Sequence, residues 1–228
     1  MNARPLVSIS SCIRAMKDKI LVVDDEKEIA ELLPHISEQT YRIAIVGEIK
    51  HGKSSLFNRL LGEEISPVGE GVATTATIVE LHYNTEAKYE AEWISNEGLQ
   101  KRLQYIEQNK GNLHVQEYAF TLENLVNQPY FEENQLFNHI NSMQEITHYT
   151  TTKGQYAAGV ELVKIFSPVP CLKHGAILID TPGLNDPMKV RDSITKEQAI
   201  MADCILFVMR ADKFGTESER QFLIEVLN

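Results

Sequence analysis

The sequence predicts an α/β domain: a mainly parallel sheet, helices on its flanks, and a helical insertion. Three observations carry that reading. Short apolar runs recur at Arg42–Val46, Gly175–Asp180 and Asp203–Met209, as expected of strands buried on both faces. Segments with helical spacing and turn residues alternate with them. Between 96 and 147 the chain turns rich in Gln, Asn and Glu, which marks an insert. With 228 residues the chain suits one domain with an appendage. We expect a tail and helix over 1–40 and the main domain over 41–228.

Residues 1–19 read as a loose tail. Lys19–Leu33 (KILVVDDEKEIAELL) resembles the first strand and acidic pair, Asp24 and Asp25, of a response-regulator receiver. A receiver also needs a phosphoacceptor aspartate after a third strand, and the loop at Gly47 arrives too early for one. We favour a helix from about Asp25 to Ser37, with Ile29, Leu32, Leu33 and Ile36 on one face, although Pro34 weakens it.

Tyr41–Leu61 (YRIAIVGEIKHGKSSLFNRLL) organises everything after it. A β-branched strand runs into Gly47, four residues, then Gly52, Lys53 and Ser54, the G-x-x-x-x-G-K-[ST] spacing of a phosphate-binding loop. The glycines let successive N–H groups face one anion. Lys53 can place a charge on the β- and γ-phosphates, and the Ser54 hydroxyl can ligate Mg²⁺. Leu56, Phe57, Leu60 and Leu61 recur at helical spacing, so a helix starts where the phosphate should sit, its positive end toward it. Gly62 should stop that helix. The domain is therefore expected to have a P-loop NTPase fold. Lys50 can add positive charge near the phosphates, and His51 reads as a permissive position within the loop.

Ser66–Thr77 is a loop by its Pro and Gly content. It leads into an alternating strand, Thr77–Tyr83, and a second such run, Ala87–Ile94, is expected to pair with it as a hairpin. In the insert, Leu99, Leu103 and Ile106 form one helical face. Leu122, Leu125 and Val126 form a second cluster, and Phe131, Leu136, Phe137, Ile140 and Met143 a third. We expect several helices there, serving as a lid or partner-binding unit or as mere decoration. Thr147–Gly154 reads as a polar loop, Val160–Phe166 as a strand, and Thr216–Leu227 as a helix.

A phosphate loop needs a partner, and Asp180-Thr-Pro-Gly183 supplies it at a strand end, where α/β folds place ligands. Asp180 can hold the Mg²⁺ shell through water. Gly183 can offer its N–H to a γ-phosphate and so sense whether that phosphate is present. In the loop before Thr77, a threonine can ligate Mg²⁺ and hold the attacking water; Thr74, Thr75 and Thr77 all suit by chemistry.

Composition sets limits. The formal charge is −10, which argues against nucleic-acid binding through a basic field. Cys12, Cys171 and Cys204 lack metal-ligand spacing and fit thiols in a reducing cytoplasm. No apolar run approaches a membrane span, and residues 1–20 carry no signal-peptide core. His82, His114, His139, His148 and His174 are scattered and read as surface or packing residues.

Gly47–Gly62 resembles the first GTPase motif of the bacterial dynamin-like proteins, members of the dynamin superfamily. Pro67–Ala76 (PVGEGVATTA) is similar to their switch I. Ile165–Pro168, Leu172 and Leu178–Leu184 (LIDTPGL) resemble their hairpin and third motif, and Ala211–Glu219 the stretch after their fourth core strand. The likeness runs from about Tyr41 to Asn228 and skips 96–147.

This resemblance implies a large GTPase that hydrolyses GTP to GDP with Mg²⁺, coupled to self-association with like or dynamin-like chains and to membrane remodelling. It implies a cytoplasmic protein peripheral to the inner membrane, with any lipid contact made by regions outside this chain. The nucleotide would lie on Gly47, Glu48, Ile49, Lys50, His51, Gly52, Lys53, Ser54, Ser55, Asp180 and Gly183. Mg²⁺ would take Ser54, Thr74 and Asp180, and catalysis would fall to Thr74 and Lys53. Ile49 and Lys50 depart from the glutamine and serine of eukaryotic dynamins. The guanine-reading Asn/Thr-Lys-x-Asp motif is absent, so we expect the N-terminal portion of a longer protein or a truncated product. A weakly catalytic nucleotide-binding scaffold that acts through a partner chain is the alternative. An ATPase fits Asp-Thr-Pro-Gly-Leu less well.

Overall fold

A computed structural model describes residues 40–61, 76–127, 138–186, 189–213 and 215–227. The tail and helix expected before residue 40, the loop carrying Thr74 and Thr75, Gly62, and Phe131, Leu136 and Phe137 lie outside these residues.

The phosphate-loop unit forms as expected, with strand β1 (Tyr41–Val46) followed by helix α1 (Lys53–Leu61). Strands β2 (Ile78–Tyr83) and β3 (Lys88–Trp93) follow. The insertion opens with helices α2 (Asn96–Gln108) and α3 (Leu113–Val126). Ser95 caps α2 by accepting from the Gly98 N–H, and Asn112 caps α3 by accepting from His114 N–H. Next come the short strand β4 (Asn138–His139), a 3₁₀ turn at Met143–Glu145 and helix α4 (Ile146–Thr150). Strand β5 (Val160–Ser167), a second 3₁₀ turn at Pro170–Leu172 and strand β6 (Ala176–Asp180) complete the middle of the chain. Helix α5 (Lys189–Met201), strand β7 (Cys204–Phe207) and helix α6 (Glu217–Leu227) close the described chain.

The seven strands form one sheet in the order β4-β3-β5-β2-β6-β1-β7. The half built on β1 is parallel to β6 and β7. On the other side β2 runs antiparallel to β6 and parallel to β5, and β3 is antiparallel to β4 and β5. The sheet is thus mixed, with its parallel part where the phosphate loop leaves it.

Period-two alternation along β1 buries both of its faces. Ile43 and Ile45 join Phe57 of α1, Leu81, Val163, Ile165 and Leu178 in the main core. Ala44 and Val46 face the opposite way, onto Ala199 of α5 and Phe222 of α6. Helices on both faces make a three-layer domain.

Four local expectations are corrected. β2 and β3 do not form a hairpin, because β5 lies between them and pairs with both. Likewise β5 and β6, likened to a hairpin, are separated by β2. The segment read as a polar loop from Thr147 contains α4, where Thr150 donates its hydroxyl to Ile146 O at 3.1 Å and Thr151 to Thr147 O at 2.8 Å. Around Ile140 and Met143, read as helical, the chain forms β4 and a 3₁₀ turn, and Ile140 enters the main core.

The insertion is tied to the sheet. Leu122 and Leu125 of α3 pack with Ile94 and Ala158. Arg102 of α2, only 7% exposed, donates to Ala158 O at 2.6 Å and Val160 O at 3.4 Å.

Candidate functional site

Because β1, β6 and β7 are parallel, the loops that leave them share one edge of the sheet, where α/β domains gather ligands. Ile45 is in register with Asp180, and Val46 with Phe207. Gly47–Gly52, Thr181–Leu184 and Val208–Asp212 therefore sit side by side. β2 runs antiparallel to β6, with Val79 opposite Asp180, so the start of β2 reaches this edge too.

Gly52 has φ +90° and Lys50 φ 64°, so the loop curls through left-handed backbone at two positions. Gly47 must be glycine for a different reason. A Cβ there would lie 2.3 Å from Val208 O, where the chain leaves β7.

Lys53 is buried and donates from Nζ to Gly47 O at 2.9 Å and Glu48 O at 3.0 Å. Burial pushes its ammonium below the ordinary value, against the opposing pull of Asp180, Asp186 and Glu48. A desolvated cation held by two carbonyls can exchange them for the oxygens of an anion. Ser54 Oγ donates to Asp180 Oδ2 at 3.4 Å, and Asp180 is fully buried. Ser55 lies exposed on the first turn of α1.

The Asp180–Gly183 loop is fastened to the phosphate loop. Ile49 N–H donates to Leu184 O at 3.2 Å, and Leu184 N–H to Gly47 O at 3.0 Å. Thr181, fully buried, donates its hydroxyl to Ile45 O at 2.8 Å. Behind this loop Thr195 of α5 bonds Pro182 O at 2.9 Å, and Arg191 pairs with the buried Asp186.

The structure thus brings together Gly47, Glu48, Ile49, Lys50, His51, Gly52, Lys53, Ser54, Asp180 and Gly183. Thr74 lies outside the described residues. Thr77 is 3% exposed and spends its hydroxyl on Ala157 O at 3.4 Å, as a residue entering a strand does.

His51 is not a permissive position. Its side chain is 5% exposed, with Nε2 3.4 Å from Glu48 Oε2 and Nδ1 3.4 Å from Glu219 Oε1. Asn185 and Thr216 donate to Glu48 Oε1 at 3.0 and 2.6 Å. This cluster escaped the sequence reading because its members come from three separate segments. One local sign was present. Thr216 and Glu219 form a capping box at the start of α6, Thr216 N–H donating to Glu219 Oε2 at 2.9 Å and Glu219 N–H to Thr216 Oγ1 at 3.3 Å.

Comparison with known proteins follows the same stretch of chain. The profile of the dynamin family matches residues 43–228. Dynamin-like protein 1 of Campylobacter jejuni subsp. jejuni is 27% identical over 188 residues, covering 82% of this chain and 25% of that protein. A bacterial dynamin-like protein of Nostoc punctiforme is 24% identical over 205 residues, 90% of this chain and 25% of that one. The solved structure of an oligomerised bacterial dynamin pair superposes with a TM-score of 0.64 at 23% identity, over 94% of this chain and 34% of that one. The chain spans about a quarter of the length of the two relatives.

Proposed function

Because this chain belongs to the dynamin family, we propose that it binds GTP with Mg²⁺ at the shared sheet edge and hydrolyses it to GDP. The observation that carries this reading is the convergence of Lys53, Ser54, Asp180 and Gly183 on one edge, with Ser54 and Asp180 3.4 Å apart.

Lys53 and the loop amides hold the phosphates, giving up the Gly47 and Glu48 carbonyls for phosphate oxygens. The donor set fits Mg²⁺, since the Ser54 hydroxyl and Asp180 carboxylate are hard oxygen ligands beside the lysine. When bound, that ion neutralises phosphate charge. Gly183 offers its N–H toward the γ-phosphate, and Thr74, just ahead of β2 in the chain, orients the attacking water. Catalysis is then positioning and electrostatics rather than covalent chemistry. The oligomerised pair named above senses and tethers membranes. We assign to this protein an analogous coupling of hydrolysis to self-association at a membrane, with a second copy or a dynamin-like chain as partner. No helix among the described residues is long and apolar enough to cross a membrane.

Binding of fluorescent GTP, GDP and ATP with Mg²⁺, beside Lys53→Ala, tests the reading. Micromolar affinity with a preference for GTP, lost in Lys53→Ala, supports it. Tight binding by that variant, or equal binding of ATP, overturns it. GTP held without turnover favours the scaffold alternative.

A further inference from the structure

We propose that Glu48, His51 and Glu219 form a binding site for one divalent transition-metal ion of the zinc class, distinct from the Mg²⁺ position at Ser54 and Asp180. The ligand atoms of the three residues all lie within 4.8 Å of one another, and all three side chains are buried. His51 Nδ1 and Glu219 Oε1 are both enclosed and have no hydrogen-bond partner. They face each other at 3.4 Å. That is long for an N–H···O bond, yet two ligands of one tetrahedral zinc centre stand about 3.4 Å apart.

The surroundings orient the carboxylates as metal ligands are usually oriented. Each gives one oxygen to neighbouring donors and turns the other toward His51. Glu48 Oε1 accepts from Thr216 and Asn185, leaving Oε2 on His51. Glu219 Oε2 accepts from Thr216 N–H, leaving Oε1. Such outer contacts fix ligand geometry and raise affinity. Two buried carboxylates against one imidazole also leave the cluster short of positive charge. Lys53, whose charge reaches Glu48, is committed to the Gly47 and Glu48 carbonyls. One imidazole with two carboxylates suits zinc, cobalt or manganese rather than a thiolate-seeking ion.

The consequence is mechanical. Glu48 and His51 lie in the phosphate loop, Glu219 in the first turn of α6, so one ion would staple the loop to that helix.

The test uses the whole chain with Co²⁺ as an optical probe in saturating Mg²⁺, without nucleotide, followed by Zn²⁺ competition measured by calorimetry. The expected result is a visible absorption band of a nitrogen–oxygen tetrahedral site, one ion per chain, displaced by Zn²⁺. Glu219→Gln and His51→Gln should each weaken Zn²⁺ at least about tenfold, and Asn185→Ala by a similar factor through loss of orientation. Asp180→Asn and Cys171→Ser should keep the band. Circular dichroism identifies any variant that fails to fold, and the remaining variants then decide. No band, a band retained by folded Glu219→Gln and His51→Gln, or one lost in folded Asp180→Asn overturns the site. Because no nucleotide is present, failure of the GTP reading leaves this result intact.

Discussion

Gly183 and Ile49 touch so closely that a Cβ on Gly183 would lie 2.5 Å from Ile49 Cγ1 and 2.8 Å from Ile49 N. The phosphate loop and the loop after β6 are therefore packed backbone against backbone. Gly183→Ala must displace the phosphate loop, because the atoms it meets include backbone. We expect a loss of about 1–3 kcal/mol in stability from overpacking together with a large fall in GTP affinity. Urea unfolding and nucleotide titration measure the two. Wild-type affinity in a folded Gly183→Ala chain would show that the two loops are not coupled.

How legible this site was depends on where its information lies. The phosphate loop and Asp180 were readable because fixed spacing along one segment specifies them. The partner of β2 was not, since alternation in Ile78–Tyr83 says nothing of β5, far along the chain, which slots in beside it. Helix α5 was not read from the sequence because its apolar signal is thin, with Ile194 only partly buried against Ile177 and Ile179. Its buried stripe is Arg191, Thr195 and Ala199, an arginine satisfied by Asp186 and a threonine satisfied by Pro182 O. Apolar periodicity cannot find a face built from hydrogen bonds. His51 was misjudged for a related reason, as Glu219, unlike the local Glu48, is brought to it only by the folded sheet edge.

Arg102 decides how firmly the insertion is held. Its guanidinium bonds the carbonyls of Ala158 and Val160 and the Tyr118 hydroxyl at 3.2 Å. Arg102→Leu leaves Val160 O without that donor while Tyr118 still serves Ala158 O at 3.0 Å. The expected cost is about 2–3 kcal/mol, the range for bonds to a charged group. Amide exchange should quicken across α2 and α3 before it does in β1. Unchanged exchange in those helices would mean that the Leu122 and Leu125 contacts hold them alone.

Glu80 supplies the pH dependence. Arg42 lies 2.7 Å from its Oε1 and His82 2.9 Å from its Oε2. Burial pushes this carboxyl up, but the His82 hydrogen bond and the Arg42 charge outweigh it, so the net shift is below the ordinary 4.5. A carboxyl depressed on folding stabilises the protein above its unfolded value and ceases to do so as pH falls through its folded value. Glu80→Gln should thus cost about 2 kcal/mol at neutral pH, through loss of the charged pair with Arg42. Below pH 4.5 the gap between variant and wild type should close as Glu80 itself protonates. Denaturant unfolding of both chains across that range reads the difference directly. A gap that stays constant from neutral to acid pH would assign the cost to packing rather than to the carboxylate charge.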